Sequence, residues 1–170
     1  MPVEIDNRHP RLRVNKRSLA RHLAAILRAC DRSRALVDVS LVSDVEIRAL
    51  NRAHRGVDAV TDVLSFALEE AGMSPGPMAV LGDVVISLDS AQRQAAMVAR
   101  AHPHMHLGAP YKLAQETFFL ATHGLLHLLG HDHMNAADAD KMEALERRFM
   151  APVTSIPMHE IDRSVHGLAD

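Results

Sequence analysis

Between Tyr111 and His133 the chain reads YKLAQETFFLATHGLLHLLGHDH, and this stretch decides how the rest is read. Leu113, Phe118, Phe119, Leu120, Leu125, Leu126 and Leu128 make the segment from about Tyr111 to Leu129 apolar almost all round. A helix with that pattern belongs in a core rather than on a surface. Set into it are His123 and His127, four residues apart and so on one face, roughly 6 Å apart along the axis. Burying two imidazoles without partners is costly, whereas two converging imidazoles suit a small metal ion. Gly130 falls where the helix has to stop, because glycine enters the left-handed conformation at little cost. The chain then turns back, and His133 can supply a third ligand. That leaves a fourth position for water, as in a catalytic rather than a closed structural site.

The long metalloprotease motif His-Glu-x-x-His-x-x-Gly-x-x-His has the same histidines and glycine, with the Glu as general base. Here Gly124 stands in the place of that Glu. The metal cage is expected and the protease base is absent, which disfavours a peptide hydrolase. One histidine on an apolar face is usually a satisfied core residue. Three in this register, with glycine at the turn, point to a metal. Zinc is the first expectation, and three imidazoles also suit nickel, cobalt or iron.

At 170 residues, 48% of them apolar, the chain is expected to form one domain with its own core rather than a disordered segment. With no Trp, one Tyr and four Phe, the core has to be built from aliphatic residues and Met. The same scarcity argues against the aromatic platforms on which many single-strand binders stack bases. A single cysteine, Cys30, excludes an internal disulfide and a cysteine zinc cluster, and fits a reducing cytoplasm. The N-terminus MPVEIDNRHP lacks the apolar core of a signal peptide, and no run of about 18 apolar residues suggests a membrane span. The net charge of −2 hides an asymmetry: residues 1–30 carry seven basic side chains against Glu4 and Asp6. Such a surface could attract phosphates, or be no more than a solvated helix face.

The rest of the chain alternates between helix and strand patterns. Leu19, Leu23, Ile26 and Leu27 give a helical stripe from about Ser18 to Cys30, and ALVDVSLV (Ala35 to Val42) alternates as a strand. Ser43 and Glu46 open a helix as a capping box, ending near His54 with Gly56 as the break. TDVLSF (Thr61 to Phe66) and VLGDVVIS (Val80 to Ser87) read as two further strands around a turn from Gly72 to Pro77. Helices are expected from about Asp89 to Ala101 and from about Ala136 to Phe149, with an irregular tail after Pro152. The alternating histidines of His102-Pro103-His104-Met105-His106 read as a loop, with an incidental metal site as the lesser alternative. The expected fold class is α+β. It is a single domain over 1–170, with a small mixed sheet of three to four strands, about five helices, and the metal site on a central buried helix.

The stretch LNRAHRGVDAVTDVLSF (Leu50 to Phe66) would say little alone. Taken with LGDVVIS (Leu81 to Ser87) and HGLLHLLGHDH (His123 to His133), it closely resembles the YbeY family of bacterial endoribonucleases, also called rRNA maturation factors. The resemblance runs from about Val37 to Phe149, and the N-terminal arm adds little to it. It implies a single-domain, zinc-dependent hydrolase of single-stranded RNA, acting in the cytoplasm on the 3′ end of small-subunit rRNA and in ribosome quality control. Its partners would then be rRNA and the small ribosomal subunit. The family's metal-binding histidines map onto His123, His127 and His133. Its arginine that meets the RNA phosphate maps onto Arg55. The chain departs from the family pattern at His54, Ala59-Val60, Ala67 and His131, changes that bear on the rim of the site and on RNA preference.

A zinc ion on three imidazoles makes water more acidic and polarises a phosphoryl oxygen, and the planar, permanently charged fork of an arginine suits the phosphate. Zinc therefore carries the nucleophile or Lewis-acid role in this reading, and Arg55 clamps the phosphate. The general base stays open. Asp132 and His131 lie beside the ligands and could orient water; a plain turn role for Asp132 is an equal alternative, and His54 is a weaker candidate. Asp62 and Asp83 read as structural, and Glu143 and Glu146 as lying on the exposed side of the last helix. Two rival functions remain: a zinc hydrolase of another substrate, and a non-catalytic ribosome assembly factor with structural zinc. The latter needs a fourth ligand, from His131 or from the His102–His106 loop.

Overall fold

The computed structural model describes residues 2–68, 79–103, 110–156 and 161. Along these the order is β1 (Val3–Asn7), α1 (Lys16–Ala29), β2 (Leu36–Val42), α2 (Asp44–Arg55), β3 (Val63–Ala67), β4 (Val80–Ser87), α3 (Leu88–Ala101), α4 (Leu113–Leu128) and α5 (Ala136–Met150). The strands form one mixed sheet in the order β1-β2-β4-β3. β1 and β4 run parallel to β2, and β3 runs antiparallel to β4 on the edge. The α+β expectation holds, with four strands and five helices among the described residues. The sequence reading has no counterpart for β1. That strand is five residues long, carries two acids, and is fixed by pairing Val3 and Ile5 opposite Val37 and Val39.

Period-two alternation sends side chains to the two faces of the sheet. On one face Val39, Val63, Val84 and Ile86 meet the buried sides of α1, α3 and α4, with Leu23, Phe119 and Leu120 at the centre of the larger core. On the other face Val42, Leu64 and Val85 meet Ile47 of α2, with Leu50 and Phe66 packed alongside. Truncating a fully buried leucine such as Leu120 in a core of this kind costs about 2–5 kcal/mol.

The helix ends follow their sequence signals. Ser43 Oγ accepts from the Glu46 N–H at 3.3 Å, and Gly56, in the left-handed conformation, caps α2. Buried positions run along nearly the whole of α4 from Glu116 to Leu128, which places it in the core. The expected turn at Gly72–Pro77, and His104, Met105 and His106 of the histidine loop, lie outside the described residues. No helix among the described residues is long and apolar enough to cross a membrane.

Candidate metal centre

The end of α4 builds the site. Gly130 has φ +95°, its N–H donates to the His127 carbonyl at 3.0 Å, and the His131 N–H reaches back to the Leu126 carbonyl at 3.0 Å. This pair of bonds is a Schellman motif, and its left-handed position accounts for a glycine there. The reversal brings His133 back over the helix, its ring centroid 5.8 Å from that of His123 and 5.3 Å from that of His127. One side-chain nitrogen from each of the three lies within 4.8 Å of the others, the one such group of three or more His, Cys, Asp or Glu among the described residues. This cluster could hold a metal ion.

Hydrogen bonding decides which nitrogens converge. His123 Nδ1 lies 3.0 Å from Glu146 Oε1, and His127 Nδ1 lies 3.0 Å from the backbone carbonyl of His131. A carboxylate and a carbonyl only accept, so each ring donates its Nδ1–H and turns Nε2 inward. The two Nε2 atoms stand 3.1 Å apart. Two bare lone pairs at that distance repel unless a positive charge sits between them, whether a proton or a metal ion. Burial, with the nearby His123 and His133 adding to it, lowers the His127 pKa from 6.5 to about 4. A neutral ring of this kind is the form that binds a metal. Three imidazole nitrogens with their outer nitrogens anchored are a donor set suited to zinc.

Gly124 has a steric cause. A Cβ there would stand 2.6 Å from Val84 Cγ1 and 3.1 Å from Ser65 Oγ, so α4 lies against the sheet where the metalloprotease motif carries its glutamate. The general base of that motif has no room. The same contact ties the TDVLSF strand to the histidine motif, since the Ser65 hydroxyl donates to the Gly124 carbonyl at 3.2 Å.

A family model described as Endoribonuclease YbeY matches residues 4–154. The chain belongs to this family. It is 47% identical over 146 residues to Endoribonuclease YbeY from Anaeromyxobacter sp. (strain Fw109-5), covering 86% of this chain and 69% of the relative. It is also 47% identical over 125 residues to Endoribonuclease YbeY from Moorella thermoacetica, covering 70% and 73%. Among solved structures it is similar to the solution structure of TM1509 from Thermotoga maritima, with TM-score 0.56, 24% identity, and 89% and 88% of the two chains covered. That likeness shows a shared fold. The stretch matched by the YbeY model includes α5 and all of β1 but Val3, so the family pattern reaches further towards the N-terminus than the histidine and TDVLSF motifs.

The remaining expected site residues are placed as follows. Arg55 is the last residue of α2, the helix on the other face of the sheet from α4, and is exposed; the adjacent His54 packs its ring 5.2 Å from that of Phe66 on β3. Asp132 Oδ1 accepts from the Met134 N–H at 3.2 Å, the turn-forming bond of an Asx residue. His131 gives the site its backbone carbonyl, and its side chain is not part of the described three-histidine group. Asp62 is buried and accepts from Gln94 Nε2 at 3.1 Å, with burial pushing its carboxyl pKa up. Asp83 sits opposite Asp38 in the β2–β4 register, where burial and then that like charge raise its pKa.

The expectation for Glu146 is overturned. Glu143 is exposed, but Glu146 turns inward to His123 with only 13% of its side chain accessible. The signal lay in the spacing. Met142, Phe149 and Met150 are the buried residues of α5, and Glu146 occupies the i+4 place on that same stripe. A carboxylate on a buried stripe needs a partner, and His123 provides one.

Proposed function

We propose that the chain is a zinc-dependent endoribonuclease of single-stranded RNA, held in the cytoplasm at the small ribosomal subunit, where it matures the 3′ end of the rRNA and serves ribosome quality control. Family membership supports RNA cleavage, and the convergence of His123, His127 and His133 within 4.8 Å carries the metal-dependent chemistry. These three residues hold the ion in this reading. When bound, zinc supplies Lewis acidity towards the phosphodiester and makes water a nucleophile near neutral pH. Glu146 and the His131 carbonyl keep the His123 and His127 rings oriented with Nε2 inward. Arg55 takes the phosphate, because its fork can meet two oxygens and stays charged as negative charge builds on them. Asp132, held by its turn beside His133, orients the water.

The test is cleavage of a labelled single-stranded RNA by zinc-loaded protein, beside His127→Ala prepared identically. Cleavage by the native protein that vanishes in the variant is expected. Equal cleavage by both would mean a contaminating nuclease and overturn the reading. Cleavage by neither, with zinc still bound, would favour an assembly factor with structural zinc.

A further inference from the structure

α5 carries a carboxylate where its docking face asks for an apolar side chain. Met142, Phe149 and Met150 are at most 9% exposed, and Glu146 stands among them at helical spacing. Its Oε1 lies 3.0 Å from His123 Nδ1, and the two side chains are 13% and 7% exposed. Removing a carboxylate from water this far is unfavourable unless a charged or strongly donating partner repays it.

The two inner histidines are held by different means. The Nδ1 partner of His127 is a neutral carbonyl four residues further along its own motif. The Nδ1 partner of His123 is anionic and comes from another helix, 23 residues away in sequence. An anion behind an imidazole fixes the tautomer and makes the opposite nitrogen a better donor to a metal. We propose that Glu146 is the positioning residue of the metal centre, which bares His123 Nε2 to the ion and couples the docking of α5 to metal binding. This rests on the reading of His123, His127 and His133 as the ligands. Coupling of this kind is reciprocal: by the factor that docked Glu146 tightens the metal, the metal tightens the docking of α5.

The experiment measures zinc affinity by competition with a chromophoric chelator, for wild type, Glu146→Gln, Glu146→Ala, Met142→Ala and His127→Ala. Amide hydrogen exchange of residues 136–150 is followed with and without zinc, and the unfolding temperature of each zinc-free protein is recorded. Glu146→Gln keeps the shape and an accepting oxygen but loses the charge, and about tenfold weaker zinc binding is expected at an unchanged zinc-free unfolding temperature. Glu146→Ala loses the acceptor as well, for about a hundredfold. Zinc slows exchange across α5 in the wild type and not in Glu146→Ala. Met142→Ala removes apolar packing from α5 and keeps the Glu146 carboxylate; with the helix still docked in nearly every molecule, zinc affinity stays within about twofold of wild type.

Three results would overturn the proposal. If both Glu146 variants bind zinc within twofold of wild type while His127→Ala has lost it, the ligand reading stands and Glu146 merely packs. If Met142→Ala weakens zinc as much as Glu146→Gln, the effect belongs to α5 packing in general. If His127→Ala keeps full affinity, the ligand set itself is wrong and the inference falls with it.

Discussion

Among the described residues, two buried histidines each pair with a carboxylate at nearly the same distance, and the two pairs serve different ends. His9 Nε2 lies 2.9 Å from Asp89 Oδ1, and His123 Nδ1 lies 3.0 Å from Glu146 Oε1; the two histidines are 4% and 5% exposed. The difference is in the other ring nitrogen. His9 Nδ1 accepts the backbone N–H groups of Arg11 and Leu12 at 3.1 and 2.9 Å, so the whole ring is spent on the protein. Asp89 in turn accepts the Asp44 N–H at 2.9 Å, and the result is a latch that ties the chain after β1 to the starts of α2 and α3. His123 has its second nitrogen left over, 3.1 Å from a second leftover nitrogen on His127. Burial and a carboxylate partner are common to both histidines; the unspent nitrogen is what fits His123, and not His9, to the proposed ligand role.

The sharpest way to break this contrast is to delete one histidine from each region. His127→Ala is expected to lower RNA cleavage by at least about a thousandfold, with zinc binding lost in parallel. His9→Ala leaves two backbone donors and Asp89 Oδ1 without their ring partner, opens a cavity at a buried position, and is expected to cost about 2–4 kcal/mol of stability. Cleavage per folded molecule stays within about twofold in that variant. Urea denaturation and cleavage assays on both variants decide it, and a catalytic loss in His9→Ala would erase the distinction.

Arg55→Lys asks whether the other layer of the sheet takes part in the reaction. A lysine keeps the charge and loses the fork, so a fall in kcat of about 10–100-fold with little change in KM is expected. Equal losses in kcat/KM and in RNA binding, with kcat intact, would mark Arg55 as a binding group only. Gly124→Ala probes the seam between site and sheet. Its new methyl would meet Val84 Cγ1 at 2.6 Å, and overpacking of this kind costs typically about 1–3 kcal/mol. The urea midpoint reads that loss; an unchanged midpoint would show that the helix can move off the sheet freely.

How much of this was legible in the sequence follows from how local each feature is. The helix and strand periods, the cap at Ser43, the turns at Gly56 and Gly130 and the histidine trio are all set within a few residues, and the structure has them close to where the patterns placed them. β1 was not legible, because five residues of mixed polarity become a strand only through pairing with β2. Glu146 escapes a local reading for a related reason: its partner is 23 residues away, and a charged residue suggests exposure even where the stripe of Met142, Phe149 and Met150 runs through it. The latch at His9 depends on Asp89, 80 residues distant, and no local pattern marks it.

His22 gives the smallest effect and the finest test of the contrast, since it is a half-buried histidine with no carboxylate hydrogen-bonded to it among the described residues. Its Nε2 lies 2.9 Å from Thr122 Oγ1, and that hydroxyl lies 2.7 Å from the Phe118 carbonyl, so Thr122 accepts from the ring and donates to the helix. The ring packs 5.2 Å from that of Phe118, and burial lowers its pKa from 6.5 to about 4. The unfolded chain therefore takes up a proton near pH 6.5 that the folded chain refuses until about pH 4. Its contribution to stability is complete above pH 6.5 and drains away as the pH falls towards 4, amounting to no more than about 3 kcal/mol. His22→Gln keeps a donor to Thr122 and cannot titrate. In metal-free protein, where His127 contributes its own acid sensitivity to both, the variant should lose less stability than wild type between pH 7 and pH 4.5 by urea denaturation. Identical losses would mean that His22 charges in place, and that burial without a carboxylate is not enough to hold a histidine neutral here.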